Sequence, residues 1–245
     1  MASWKRFVFA SDLHGDKQHA PTAARFLKFV KDYEPHYIIF GGDLFDLRPL
    51  RRGASADERA ESMQADVGAG LKFMGQLFDR KAEKKFLTWG NHDDRLFQGA
   101  EDSTNGITAD LCSKGVKDIT ERTKRLGIKT VPYHKRDGII RIGHAKFLHG
   151  FFCGVFAARQ HAAVYGSCFF GHTHVIDESP APGLDRRVAR GVGCLCETDM
   201  AYNARNPNTL RQAQGWAFGA IHDRTGDFFS RQAEQINGVW TEDVL

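Results

Sequence analysis

Short apolar runs alternate with amphipathic segments in the first part of the chain. Residues 6–10 form a β-type run, and residues 21–33 carry apolar side chains at helical spacing, with Pro21 in the first turn. Residues 36–40 are almost continuously apolar, which is typical of a strand covered on both faces. A strand, a helix and a strand joined by short connections predict a βαβ unit.

The alternation continues to about residue 132. Ser55 and Glu58 form a capping-box pattern, and the apolar stripe behind them predicts one long amphipathic helix over residues 57–81. Residues 85–89 predict a third strand. Residues 107–127 predict a helical region, and residues 129–132 predict a short β-like segment.

The second part of the chain is richer in strand patterns. Residues 138–142 and 146–149 predict a hairpin around Gly143 and His144, and residues 155–165 predict a helix. Further strands are predicted at residues 167–170, 188–196, 216–222 and 228–232. Because no linker separates the two parts, we expect residues 1–245 to form one domain, with two sheets packed together and helices outside.

The composition is that of an ordinary globular protein. The 245 residues are 42% hydrophobic and 26% charged, with a formal net charge of +4. No apolar run reaches about 18 residues and the start lacks a long apolar leader core, so we expect no membrane span and a cytoplasmic protein. The five cysteines are irregularly spaced, which predicts free thiols. Cys194 and Cys196 form a C-x-C pair without a second pair, so metal binding there is the weaker interpretation.

The eleven histidines change this picture, because several lie in polar clusters at the ends of predicted strands. These clusters are Asp12-Leu13-His14, Gly42-Asp43-Leu44-Phe45-Asp46, Gly90-Asn91-His92-Asp93, His149-Gly150 and Gly171-His172-Thr173-His174. Ligands of open α/β sheets bind outside the carboxyl ends of the strands, where residues distant in sequence converge.

The donor types in these clusters suit divalent metals. The candidate ligands are Asp12, His14, Asp43, Asn91, His149, His172 and His174. Carboxylate, amide and imidazole donors together favour Mn²⁺, Fe²⁺, Zn²⁺ or Ni²⁺. Two metal sites that share one carboxylate would use the whole set.

In this order the motifs D-x-H, G-D-x-x-D, G-N-H-D, H-G and G-H-x-H resemble the calcineurin-like metallophosphoesterase superfamily, over residues 12–174. The resemblance implies an α/β fold, a four-layer α/β/β/α sandwich of two mixed β-sheets flanked by helices, with two metal ions at the strand ends. It assigns one metal to Asp12, His14, Asp43 and His174. It assigns the other to Asp43, Asn91, His149 and His172, so that Asp43 bridges them.

The resemblance also implies a mechanism. A hydroxide that bridges two divalent metal ions attacks phosphorus in line. Manganese is the favoured metal, with iron, zinc, nickel and magnesium as alternatives. His92 takes the family position of the catalytic histidine that does not bind metal, and it stabilises or protonates the leaving oxygen. Asp46 takes the position of the acid that orients His92, and its charge would favour the protonated imidazole.

One position departs from the family pattern. Members that dephosphorylate proteins usually carry Arg directly after the G-D-x-x-D acid, whereas this chain has Leu47 there and Arg48 one residue later. Because a monoester dianion needs more positive charge than a diester monoanion, the sequence favours phosphodiester hydrolysis. A protein or small-molecule phosphomonoesterase is the alternative. A non-catalytic scaffold that keeps the fold is a third interpretation, and the intact ligand set argues against it.

The expected partner is a phosphate-ester substrate, either nucleic acid or a small nucleotide. The G-D-L-F-D motif resembles the DNA-repair exonuclease branch, although the chain has little room for that branch's capping region. Two basic clusters would attract a polyanion if they border the site: Arg48, Arg51 and Arg52, and Arg186, Arg187 and Arg190. The six other histidines, His161 among them, are expected to be surface or structural residues.

Overall fold

The computed structural model describes residues 3–102, 104–181, 183–184, 187–199 and 207–244. Its helices are α1 (Ala20–Tyr33), α2 (Ala56–Ala60), α3 (Met63–Phe78), α4 (Asp94–Asp102), α5 (Gly106–Arg125) and α6 (Ala157–Tyr165). Its first strands are β1 (Trp4–Ala10), β2 (Tyr37–Phe40), β3 (Lys84–Thr88), β4 (Lys129–Val131), β5 (Ile140–Ile142) and β6 (Ala145–Leu148). The later strands are β7 (Cys168–Phe170), β8 (Ile176–Pro180), β9 (Val188–Val192), β10 (Gly215–His222), β11 (Phe228–Ile236) and β12 (Val239–Trp240).

The strands form two mixed sheets. The first sheet has the order β12-β11-β10-β1-β2-β3-β4, in which β1 to β4 are parallel and β10 runs antiparallel to β1. The second has the order β5-β6-β7-β9-β8, with β6, β7 and β9 parallel. The parallel strands are the βαβ part of the sequence pattern, and the antiparallel edges come from its hairpins.

Alternation along each strand sends side chains to two separate cores. In β1, Phe7 and Phe9 face the second sheet and pack against Phe147 and Phe169. The intervening residues of β1 face α1 and α3 in a second apolar cluster. On the far side of the second sheet, Phe170 and its neighbours pack against α6. The result is an α/β fold of two mixed sheets flanked by helices, as the sequence predicted.

The predicted helix over residues 57–81 is interrupted, and this prediction was wrong in its continuity. Glu61 is extended, with φ −68° and ψ 151°, so α2 ends before it. The Ser62 side chain then accepts a hydrogen bond from the Ala65 amide and caps α3. A break this short leaves the apolar periodicity almost intact. Helix α4 and strands β8 and β12 were not predicted.

The predicted strand over residues 188–196 is also too long. It ends at Val192, because Gly193 takes φ 78° and a Cβ there would lie 2.5 Å from the Ala213 carbonyl oxygen. Cys194 and Cys196 follow in isolated bridges, with both thiols buried, and all five cysteines are free. Helix α6 begins at Ala157, two residues later than expected, and β11 runs on to Ile236. No described helix is both long and apolar enough to cross a bilayer.

Candidate metal centre

The polar clusters lie together at the carboxyl ends of five strands. Asp12 follows β1, Asp43 follows β2, Asn91 follows β3, His149 follows β6 and His172 follows β7. Because β1, β2 and β3 are parallel, as are β6 and β7, each sheet delivers its polar residues to the same edge.

Unusual backbone turns aim these side chains inward. Five non-glycine residues have positive φ: Asp12 (59°), His14 (55°), Asp43 (49°), His172 (66°) and His174 (57°). Such conformations cost about 1–2 kcal/mol each and cluster at functional sites, where the surrounding structure enforces them. Here the Leu13 and His14 amides both donate to the Asp43 carbonyl oxygen at 3.0 Å, which holds the turn.

One glycine makes the close approach possible. A Cβ on Gly171 would lie 2.2 Å from Asp12 Oδ2, well inside contact distance. The neighbouring His172 amide instead donates to Asp12 Oδ2 at 2.9 Å. The glycine of the G-H-x-H motif is therefore required by the carboxylate of the D-x-H motif.

Asp12, His14, Asp43 and His174 form one group of candidate ligands. His14 Nε2 lies 3.2 Å from His174 Nε2, and His174 Nε2 lies 3.3 Å from Asp12 Oδ1. His14 Nε2 is 3.7 Å from Asp43 Oδ2. Cys196 Sγ lies behind the group, 3.8 Å from His174 Nδ1, a neighbour that sequence reasoning did not place there.

Asp43, Asn91, His149 and His172 form the other group. Asn91 Oδ1 lies 2.9 Å from His149 Nε2 and 2.8 Å from His172 Nδ1. His149 Nε2 is 3.4 Å from Asp43 Oδ2. The second ring nitrogen of His172 lies 3.2 Å from the exposed Cys153 Sγ.

Asp43 stands between the two groups. Its Oδ1 accepts a hydrogen bond from the His92 amide at 2.8 Å. Its Oδ2 lies 3.7 Å from His14 Nε2 on one side and 3.4 Å from His149 Nε2 on the other. Asp43 is 2% exposed, so this central carboxylate has almost no access to water.

The donor chemistry fits cations. His149 Nδ1 donates to the Gly41 carbonyl oxygen at 2.8 Å, so in the neutral ring Nε2 carries only a lone pair. That lone pair faces the oxygens of Asn91 and Asp43, an arrangement of acceptors that a cation would stabilise. Without one, protons take this part: burial opposes protonation, but Asp43 and Asp12 raise the pKa values of His149 and His174 to about 9.

Asp46 connects a candidate ligand to the candidate catalytic histidine. Its Oδ1 lies 2.6 Å from His92 Nδ1 and 3.2 Å from His14 Nδ1. The second contact was not predicted. Burial lowers the pKa of His92, and the nearby carboxylates Asp43 and Asp46 offset only part of that shift. The expectation that Asp46 favours the protonated ring therefore describes one contribution, which burial outweighs in the metal-free protein.

Arg48 points away from substrate. It is 3% exposed, and its guanidinium contacts three carboxylates: Asp46 Oδ2 at 2.6 Å, Asp16 Oδ1 at 2.8 Å, and Glu61. Arg51 pairs with Glu58. The hypothesis that the first basic cluster forms an open rim is therefore wrong for these two arginines, because each is held by acidic partners.

The second basic cluster also lies elsewhere. Arg187 and Arg190 line a cavity near the amino ends of the parallel strands of the second sheet, whereas His149 and His172 follow their carboxyl ends. Arg186 lies outside the described residues. The suggested base-stacking role of Trp216 and Phe218 is excluded, since they are 0% and 8% exposed in the core.

Three residues that support the site were missed or left open by sequence reasoning. Asp66, on the buried side of α3, accepts hydrogen bonds from the Asp46 and Leu47 amides. Arg95 donates to the Asp46 carbonyl oxygen at 2.8 Å. Asp93 accepts from the Gly90 and Phe45 amides at 2.9 Å each. Burial and the charge of Asp43 raise the pKa of Asp93 to about 7. A carboxylate on an apolar helix stripe was the available signal for Asp66.

The calcineurin-like phosphoesterase family model matches residues 5–176. This chain belongs to that family. The match covers every strand end that contributes to the centre, and the family implies a metal-dependent phosphoesterase with divalent metal ions.

Solved structures of the same fold are only distantly similar in sequence. Zinc-bound Vps29 from Entamoeba histolytica is 13% identical, with 96% of each chain covered and a TM-score of 0.49. The Escherichia coli phosphoesterase YfcE is 13% identical, covering 93% of this chain and 97% of its own, with a TM-score of 0.43. A metallophosphoesterase from Sphaerobacter thermophilus is 14% identical, covering 94% and 88%, with a TM-score of 0.44. No curated protein matches the chain.

Proposed function

We propose that this chain is a two-metal phosphodiesterase. The observation that carries the proposal is the convergence of seven oxygen and nitrogen donors on the Asp43 carboxylate, with the His92–Asp46 pair beside it. A scaffold that only binds a partner through this fold has no need for buried carboxylates and imidazoles held by strained turns.

The proposed ligands divide as the two groups do. Asp12, His14 and His174 would hold one metal ion, and Asn91, His149 and His172 the other, with Asp43 shared. Two divalent cations bound there would supply the positive charge and the acidified water that phosphate-ester hydrolysis needs. The mixed nitrogen and oxygen donors suit manganese, with iron, zinc, nickel and magnesium as alternatives.

His92 and Asp46 are the proposed catalytic pair. His92 Nδ1 is engaged by Asp46 Oδ1 at 2.6 Å, while His92 Nε2 lies 3.9 Å from Asp43 Oδ2 and so faces the centre. The ring can therefore present an Nε2 proton to the leaving oxygen while Asp46 holds its orientation.

The preference for diesters rests on the charge around the centre. A monoester dianion is best bound by an extra cation beside the metals. Leu47 occupies the position of the family arginine, and the Arg48 guanidinium is occupied by three carboxylates. These placements favour a substrate with a single negative charge on phosphorus, such as a cyclic nucleotide, a dinucleotide or a nucleic-acid strand.

The cellular setting follows from weaker observations. All five cysteines are free thiols, which fits a reducing compartment such as the cytoplasm. Both sheets contribute ligands, which fits one domain over residues 1–245. Nuclease activity on DNA or RNA is one form of the proposal. The structure places Arg48 and Arg51 in internal ion pairs, so it adds nothing to the suggestion of a basic rim for nucleic acid.

The test is a substrate panel with metal-depleted protein and added Mn²⁺, Zn²⁺, Ni²⁺ or Mg²⁺. The panel contains an aryl diester, an aryl monoester, a cyclic nucleotide, a phosphopeptide and single-stranded DNA. We expect diester turnover to exceed monoester turnover, and Asp43→Asn to abolish both. A higher monoester rate would overturn the diester preference, and full activity of Asp43→Asn would overturn the two-metal centre.

A further inference from the structure

A cavity of about 680 Å³ lies near the opposite end of the second sheet from the metal centre. Residues near the amino ends of β6, β7 and β9 line one side, and β11 lines the other. Four cationic side chains line it: Arg141, Lys146, Arg187 and Arg190. Asp227 is the single carboxylate among the lining residues that the structure describes, so the wall is strongly positive.

The fold forces these cations together. Arg141 and Lys146 are directly opposed in the antiparallel pair β5–β6, where like charges are destabilising. A Cβ built on Gly166 would lie 3.7 Å from Arg187 Nη1 and 3.7 Å from Lys146 Nζ. Two cationic groups from different strands therefore approach one point, and an anion between them would relieve their repulsion.

Neighbouring groups neutralise only part of this charge. Lys146 Nζ donates to the carbonyl oxygen of Tyr165, a neutral acceptor. Arg190 Nε lies 3.3 Å from Glu178 Oε2, so its charge is shared with that carboxylate. Arg141 is exposed and opens toward solvent. The cavity thus combines anchored cations with one that a ligand can recruit.

Aromatic rings stand beside the cations. Phe228 and Phe229 line the cavity, and Phe229 is 53% exposed. The Phe229 ring rests against Trp4, with the two ring centroids 5.4 Å apart, and Trp4 is itself 49% exposed. Exposed rings next to cationic side chains are the combination that binds a nucleobase and its phosphates.

We propose that this cavity binds a nucleoside polyphosphate, with its phosphates among Arg141, Lys146 and Arg187 and its base against Phe229. The volume is that of a small-molecule site, for which about 300–1,000 Å³ is usual. The site is distinct from the metal centre, and its occupancy does not depend on the hydrolytic activity proposed above.

The test is calorimetric titration of the full chain in a metal chelator, which prevents hydrolysis. The probes are ATP, inorganic tripolyphosphate and adenosine. We expect ATP to bind most tightly, and Arg141→Gln to weaken it about tenfold, which corresponds to about 1.4 kcal/mol. Phe229→Ser should weaken ATP but leave tripolyphosphate unchanged. Arg52→Gln, an exposed arginine outside the cavity, is the matched charge control.

The outcomes separate this site from the metal centre. Asp43→Asn should bind ATP like the unaltered chain, and loss of binding in that variant would overturn the proposed location. No ATP binding at millimolar concentration, or an equal affinity in Arg141→Gln and Arg52→Gln, would overturn the site. Tripolyphosphate binding as tight as ATP would overturn the role of the base. Because Arg141 and Phe229 are exposed, unchanged melting temperatures should accompany these variants.

Discussion

His161 is a buried histidine whose hydrogen bonds leave no room for a second ring proton. It is 0% exposed and stacks on Phe170 at a centroid distance of 3.9 Å. Its Nδ1 donates to the Ala157 carbonyl oxygen at 2.8 Å, and its Nε2 accepts from the Phe151 amide at 3.1 Å. Protonation of Nε2 would set one donor against another. Burial lowers the pKa of His161 to about 4.

This shift makes stability depend on pH with a definite sign. In the unfolded chain the ring binds a proton near its ordinary pKa of about 6.5. The unfolded state therefore gains the proton first as the pH falls, so the folded state loses stability between about pH 6.5 and pH 4. At roughly pH 5 the loss from this one group is about 2 kcal/mol, and fully protonated it is about 3 kcal/mol.

The variant His161→Phe keeps a ring against Phe170 but cannot titrate. Near neutral pH it should be about 1–3 kcal/mol less stable, because the Phe151 amide loses its acceptor. At roughly pH 5 the difference should shrink by about 2 kcal/mol, since only the unaltered chain bears the cost of the neutral ring.

The measurement is urea unfolding of the metal-free protein, followed by tryptophan fluorescence at a series of pH values. His161→Gln is the companion variant: it does not titrate but retains a polar side chain, so it should close the same gap with pH from a smaller initial loss. A stability difference that stays constant from neutral pH to roughly pH 5 in both variants would refute the reasoning.

The remaining predictions concern the metal centre directly. Asp43→Asn should lower bound metal from about two ions per chain toward one or none, measured by elemental analysis after dialysis. His92→Gln should keep the metal content but lower kcat by about 10²–10⁴-fold, and an unchanged kcat would remove His92 from the chemistry. Gly171→Ala should weaken metal binding by about tenfold or more, because its Cβ would displace Asp12, and a titration with Co²⁺ would measure this. A chelator should abolish hydrolysis, and Mn²⁺ should restore it.

The sequence predicted the edge of the sheet where the centre lies because strand ends are local features. An apolar run followed by glycine and acidic or histidine residues defines both a strand and its exit, and parallel pairing then brings such exits together. The positions of Asp12, Asp43 and His172 follow from that rule. The break between α2 and α3 did not follow, because one extended residue at Glu61 barely disturbs a helical stripe.

The direction of Arg48 could not be predicted for a different reason. Three carboxylates from separate segments meet its guanidinium, namely Asp16, Asp46 and Glu61. Sequence proximity to Asp46 indicated only that Arg48 lies near the site. Whether it faced substrate depended on contacts formed by the interrupted helix region, which the pattern had read as continuous.

The contacts of Asp46 give the one-residue displacement of the arginine a structural meaning. Asp46 Oδ1 is shared by His14 and His92, and Asp46 Oδ2 is held by Arg48. An arginine that directly followed the acid could reach toward phosphate, whereas Arg48 instead stabilises the carboxylate that orients a proposed metal ligand and the proposed acid. The chain has thus exchanged a cation beside the substrate for a cation beneath the catalytic carboxylate. That exchange lowers the positive charge available to a dianion without weakening the support of His92, which is the physical basis for expecting a diester substrate.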